Sequence, residues 1–502
     1  MSTGPNAATL TRGRLLARNS VLSISGQVGP LVVAVFAVPI LVRSLGVERF
    51  GILTLAWAAI GYFSLFDLGL GRALTQSLSA AIGGGRTDQL PSLTIAALAA
   101  MAILGIVGAG VFGVATPWIV DRALEIPIAL RQETLTAFYL LCLSLPFVLA
   151  TAGLRSLFEA HQQFGTSTAL RVPYAIFNFV APLAVLPFSH SLVPVVAILV
   201  IGRMIACLAH WIVARYRFPF LRTRVVIDRQ VLLPLFKTGG WMTVSNIISP
   251  LMVNFDRFVV GGLLSVTAVA YYATPYDMVM KLLLVPGALL GVLFPAFASS
   301  FEHDRSATAQ LLDRTLRWML LVIFPPVLLL VAFAHEGMRL WLGADFATHS
   351  AVVVRWLAAG VLINSVGQIA FAVVQGVGRA DLTAKLHVVE LPIYAVALVA
   401  LTKTMGLTGV AIAWTLRVTI DTTILLVLSA RRVPQAQHHL WRSVRVIGVL
   451  LAALIVVGAT QSLSLRILVT AGALAAFVAV GWLQLLRSDE RTALLGGLRA
   501  LT

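Results

Sequence analysis

The feature that most constrains this chain is a recurrence of long stretches that are apolar throughout, separated by short polar segments. A helix needs about 20 apolar residues to cross the hydrocarbon core of a bilayer. About fourteen such runs are legible: 20–42, 49–71, 92–119, 135–156, 170–188, 192–214, 233–255, 266–299, 318–335, 351–375, 384–402, 406–430, 443–461 and 464–487. Strands of a membrane barrel would alternate apolar and polar residues, and these runs do not. With 59% of residues hydrophobic and 11% charged, a soluble fold has too little interior to hide the apolar surface. The expected class is an all-α polytopic membrane protein. The first run is too long for a signal-peptide core and lacks a small-residue cleavage site, so it is expected to stay as the first span.

The 37 basic and 20 acidic residues give a net charge of +17. Their placement is uneven. Arg12, Arg14 and Arg18 precede span one. Arg215, Arg217, Arg222, Arg224, Arg229 and Lys237 lie between spans six and seven. Arg431, Arg432, Arg442 and Arg445 lie between spans twelve and thirteen. All three clusters fall on one side, which the positive-inside rule makes cytoplasmic. Both termini are therefore expected on the cytoplasmic side. The charge orients the chain, and no nucleic-acid partner is implied.

Two halves are related. Leu45-Gly46-Val47-Glu48-Arg49-Phe50-Gly51 matches Leu264-Ser265-Val266-Thr267-Ala268-Val269-Ala270, and the stretch from Gln163 to Leu170 matches that from Arg379 to Leu386. The spacing is that of six spans plus loops in a repeat-built transporter. An even number per repeat gives two parallel six-helix lobes with a central cavity. The expected division is an N-terminal lobe over 1–214, a cytoplasmic linker over 215–232, a C-terminal lobe over 233–430, and two accessory C-terminal helices with a tail over 431–502.

Several chemistries are missing. The phosphate-binding G-x-x-x-x-G-K-[ST] loop, H-E-x-x-H and G-x-S-x-G do not occur. Cys142 and Cys207 lie in apolar runs without metal-ligand spacing. No soluble catalytic domain fits in the loops, so an enzyme is not expected, and neither a cofactor nor a metal. Transport is the class left.

Ionisable residues at membrane depth are costly and mark candidate sites. Asp67 and Arg72 lie in span two, Arg203 in span six, and Asp256 and Arg257 in span seven. Asp277 and Lys281 are four apart in span eight. Arg417 and Asp421, in span twelve, are spaced to pair with each other. Lys281 is one of four lysines in the chain and the deepest. Lys281, Arg72, Arg203 and Arg257 are the candidate contacts for an anionic substrate, since phosphate recognition needs charge and donors together. Asp67, Asp256, Asp277, Arg417 and Asp421 are candidates for ion coupling or ion pairing.

The segment Ser44-Leu45-Gly46-Val47-Glu48-Arg49-Phe50-Gly51, followed by Gly61-Tyr62-Phe63-Ser64-Leu65-Phe66-Asp67-Leu68-Gly69-Leu70-Gly71-Arg72-Ala73-Leu74, resembles bacterial lipid-linked oligosaccharide flippases of the Wzx type. Phe255-Asp256-Arg257-Phe258-Val259-Val260-Gly261, Tyr271-Tyr272-Ala273-Thr274-Pro275-Tyr276 and Gln375-Gly376-Val377-Gly378-Arg379 look like the same family. The resemblance implies the fold of multidrug and toxic compound extruders, alternating access, and an undecaprenyl-diphosphate-linked oligosaccharide as substrate. It also implies a polysaccharide polymerase and a chain-length regulator as partners. Two alternatives share the fold: a cation-coupled multidrug exporter and a lipid II flippase.

Overall fold

The computed structural model describes residues 13–63, 70–83, 85–222, 254–287 and 305–485, with 289, 293, 297, 300 and 301. Its regular elements are all helical. Nine helices among the described residues are long and apolar enough to span a membrane, and the chain is a multi-pass membrane protein. Most of the expected span 233–255, and parts of 49–71 and 266–299, lie outside the described residues. The same holds for 223–232 of the expected linker.

The chain divides into two compact units, Met1–Ala270 and Tyr271–Thr502. The first contains α1 (Gly13–Leu45), α2 (Val47–Phe63), α3 (Leu70–Gly83), α4 (Leu90–Trp118), α5 (Ile128–Ala160), α6 (Phe164–Val185) and α7 (Leu192–Arg217), then α8 over 254–263. Between helices in lipid there is little hydrophobic drive, so close backbone approach must supply the contact. Gly105 of α4 does this: a Cβ there would fall 2.5 Å from Pro146 Cα on α5. One acid ties three helix starts together. Glu133 on α5 pairs with Arg49 on α2 at 3.1 Å and accepts the Leu192 N–H that opens α7, where a carboxylate also meets the positive end of the helix dipole.

The second unit continues α9 (Val266–Met280), which begins in the first, and holds α10 (Arg305–Ala332), α11 (Ala334–Leu342) and α12 (Ala344–Gly376). The helix Ala380–Arg432 is broken at Gly406, where φ is +58°. The two parts are α13 (380–405) and α14 (407–432), and they fold back on each other. The Cα of Gly409 lies so close to Leu401 that a Cβ would fall 1.9 Å from its carbonyl oxygen. Helices α15 (Gln437–Ala459) and α16 (Leu463–Val480) complete the unit.

Helices α12 and α14 run parallel in a fixed register. Thr415 Oγ1 donates to Trp356 O at 2.9 Å, Thr422 Oγ1 to Ile363 O at 3.4 Å, and Ser429 Oγ to Ala370 O at 3.3 Å. Both series step by seven, the repeat of a left-handed helix pair. Gly360 and Gly367 provide the room, facing Trp414 and Thr422 respectively.

Several helices extend beyond the expected spans, and one helix was not expected at all. Helix α10 starts well before the expected span at 318, because its polar first turns are internally satisfied. Asp313 and Arg317 are buried, pair at 3.1 Å, and Asp313 also meets His439 of α15 at 3.2 Å. The short amphipathic α11 was not expected. Its Glu336 holds Arg466 of α16 at 3.0 Å, and Arg466 also donates to the carbonyls of Ala332, Thr460 and Gln461.

The same local turns recur at the positions that the two halves were matched on, although the capping turn also ends α3 at Gly85 and Arg86. Helices α5 and α12 end in the same capping turn. Gln162 N–H donates to Glu159 O and Gln163 N–H to Phe158 O. At the matching positions Gly378 N–H donates to Gln375 O and Arg379 N–H to Val374 O. This is the paired hydrogen bonding of a Schellman motif. The turns that open α2 and α9 match as well: Phe50 N–H bonds Gly46 O, and Val269 N–H bonds Ser265 O.

Candidate functional site

In the first unit one cation stands apart. Helices α6 and α7 approach through Gly202, whose ideal Cβ would lie 2.1 Å from the Phe177 ring. That contact draws the next residue, Arg203, over the face of Tyr174, with the guanidinium carbon 4.5 Å from the ring centroid. Tyr174 and Asn178 bond each other along α6, hydroxyl to amide oxygen at 3.2 Å and amide nitrogen to backbone carbonyl at 2.8 Å. Arg203 Nε is buried and makes no hydrogen bond, and no ion pair of Arg203 occurs among the described residues. A desolvated cation–π contact is worth about 2 kcal/mol. Removing a cation from water costs several times that. Arg203 is only partly buried, so the exposed part of its guanidinium stays open to water or an anion.

In the second unit the hairpin assembles four charged groups. His387, Glu390 and Tyr394 recur at i, i+3 and i+7 on α13 and share a face. Arg417 and Asp421 are four apart on α14. Arg417 Nε donates to Glu390 Oε1 at 3.0 Å, with its guanidinium 5.4 Å from the Tyr394 ring centre. His387 Nε2 lies 3.8 Å from Asp421 Oδ1, and its ring stacks on Phe371 of α12. The pairing expected between Arg417 and Asp421 is therefore replaced by a contact across the hairpin. Reversal at Gly406 brings Glu390 opposite Arg417, where the two side chains meet end to end. Glu390 Oε2 and Asp421 Oδ1 are buried without a hydrogen bond among the described residues. Ligand atoms from His387, Glu390 and Asp421 lie within 4.8 Å of one another. With both carboxylates ionised and the histidine neutral, the cluster carries one net negative charge, which a proton or a monovalent cation would balance. Sequence reading did not single out His387 or Glu390. The signal was their three-residue spacing inside an apolar span.

The other expected site residues lie on different elements. Asp256 and Arg257 are buried on α8, where Asp256 Oδ1 accepts the Arg257 N–H at 2.8 Å. The adjacent Phe258 ring packs on Tyr62 of α2. Asp277 is exposed on α9, and Lys281 is exposed in a 3-10 turn, Lys281–Leu283, between α9 and the helical residues 284–287. Arg72 lies on α3, and its side chain is outside the described residues, as is Asp67.

This architecture is a multi-pass bundle of apolar helices carrying buried charged groups. It is shared with the inward-facing conformation of a multidrug resistance MATE family transporter of the MOP superfamily, with a TM-score of 0.69, 13% identity, and coverage of 84% of this chain and 99% of that one. The chain belongs to the polysaccharide biosynthesis protein family, whose model matches residues 16–301. Among curated relatives, it is 28% identical to "Putative O-antigen transporter" of Shigella flexneri, over 82% of this chain and 97% of that protein. It is 22% identical to "Probable low-salt glycan biosynthesis flippase Agl15" of Haloferax volcanii, over 38% of this chain and 40% of that protein.

Proposed function

We propose that the chain is a flippase for an undecaprenyl-diphosphate-linked oligosaccharide repeat unit. It moves this lipid from the inner to the outer leaflet of the bacterial inner membrane by alternating access, for O-antigen, capsule or exopolysaccharide synthesis. Both termini are cytoplasmic, and a polysaccharide polymerase and chain-length regulator act beside it. The observation that carries this reading is Arg203. A partly exposed guanidinium on an aromatic face, with its Nε buried and no ion pair among the described residues, suits a diphosphate that brings its own negative charge. Lys281, Arg72 and Arg257 serve as further anion contacts, with Asp67, Asp256 and Asp277 holding them in place. The cluster of His387, Glu390, Arg417 and Asp421 takes up the coupling cation. The relatives' names, an O-antigen transporter and a glycan biosynthesis flippase, support the substrate class.

The test is complementation of a strain deleted for this gene. Arg203→Ala and Lys281→Ala should each abolish surface polysaccharide at unchanged protein level. Normal polysaccharide in both variants would overturn the assignment. A second reading, a cation-coupled multidrug exporter, is favoured by one observation, the unbonded buried carboxylate oxygens of Glu390 and Asp421. Drug hypersensitivity of the deletion strain with intact polysaccharide would select it.

A further inference from the structure

The two accessory helices carry a feature that the transport reading does not use. A groove of about 580 Å³ lies between α10, α15 and α16, walled by Phe324, Val449, Ala453, Ala473 and Val480. At one end it is lined by Arg442 and Arg445. From Arg442 to Ala453 the apolar wall runs about 17 Å along α15, at 1.5 Å per residue. Val449 and Val480 are 69% and 44% exposed, so the groove opens on the outer, lipid-facing surface of its unit. A neighbouring groove of about 490 Å³ between α14 and α15 repeats the pattern, with Arg431 and Trp441 among its lining residues. Trp441 is exposed, as expected of a tryptophan at the level of lipid headgroups.

We propose that the groove at Arg442 and Arg445 binds an acidic glycerophospholipid, with its phosphate on the two arginines and an acyl chain laid along α15. The length and apolarity of the wall match a chain, and the arginine end matches an anionic head. The paired arginines favour acidic over zwitterionic headgroups. Neither α15 nor α16 carries an aspartate or glutamate, and the carboxylate that α10 brings to α15, Asp313, is already engaged by Arg317 and His439. The occupant enters from the bilayer and is a resident of α15 and α16, distinct from the lipid that is transported.

The experiment is native mass spectrometry of the full-length protein in detergent, titrated with phosphatidylglycerol or phosphatidylcholine. Phosphatidylglycerol should bind at least tenfold more tightly. The double variant Arg442→Gln with Arg445→Gln should lose that tenfold preference while keeping the lipid-free unfolding temperature. Ala473→Trp, which fills the groove and leaves the charges, should lower the affinity for both lipids; it is the deciding variant if the arginine variant does not fold. Equal affinity for the two lipids, or binding unchanged in the variants, would overturn the proposal. Displacement of phosphatidylglycerol by undecaprenyl diphosphate would also overturn it, since the groove would then belong to the transported lipid.

Discussion

Gln162 and Gly378 occupy the same left-handed turn at the ends of α5 and α12, with φ of +57° and +78°. Gln162 is the one non-glycine residue with positive φ among the described residues. A side chain in that region costs about 1–2 kcal/mol, while a glycine loosens the unfolded chain by about 0.4–1 kcal/mol. The first term wins. Gln162→Gly should raise stability by about 0.5–1 kcal/mol, and Gly378→Gln should lower it by a similar amount. Thermal unfolding in detergent reads both, and a destabilised Gln162→Gly would contradict the argument.

Arg417 and Glu390 form a largely buried pair, at 15% and 7% side-chain exposure. Breaking such a pair leaves an uncompensated charge and costs about 3–5 kcal/mol. Arg417→Leu or Glu390→Leu alone should therefore strongly lower the unfolding temperature. The double variant should recover most of the loss, because no charge is then stranded. Additive losses in a double-mutant cycle would show that the contact carries no coupling energy.

Asp421 sits beside His387, at 3.8 Å, and completes the negative cluster. Removing its charge leaves Arg417 and Glu390 balanced, with nothing for a cation to neutralise. Asp421→Asn should leave binding of the lipid-linked sugar intact but make transport in proteoliposomes insensitive to an imposed proton or sodium gradient. A variant that still responds to both gradients would exclude this cluster from coupling.

Arg466 is buried and divides its donors among Glu336 and three backbone carbonyls. Lysine is a compact point charge and cannot reproduce the planar fork of donors. Arg466→Ala should cost about 3 kcal/mol, and Arg466→Lys should recover less than half of it. Limited proteolysis near residues 460–462 reports the same loosening, and unchanged cleavage in Arg466→Ala would refute it.

Much of the fold was legible in the sequence because lipid imposes a simple rule: apolar runs of membrane-spanning length become helices. The hairpin at Gly406 and the turn at Gly378 fall on glycines, whereas the turn at Gln162 sets a glutamine at positive φ against its local preference. The pairing of charges was less legible. Spacing on one helix suggested Arg417 with Asp421, yet the partner came from across the hairpin. Helix α10 began early because Asp313, Arg317 and His439 satisfy one another, a three-dimensional fact that a hydropathy pattern cannot register. Arg203 was visible as a charge at depth. Its aromatic seat depended on Gly202 letting Phe177 close in from α6.

The seven-residue stepping between α12 and α14 has a mechanical meaning. Thr415, Thr422 and Ser429 engage carbonyls in sequence like teeth on a rack. Sliding one helix past the other by a single turn would leave all three hydroxyls out of step. The next position in which all of them could mesh lies a full heptad away, about 10 Å along the axis. The pair therefore has no small gear. Within its unit it behaves as a stiff strut that can tilt or rotate but cannot creep.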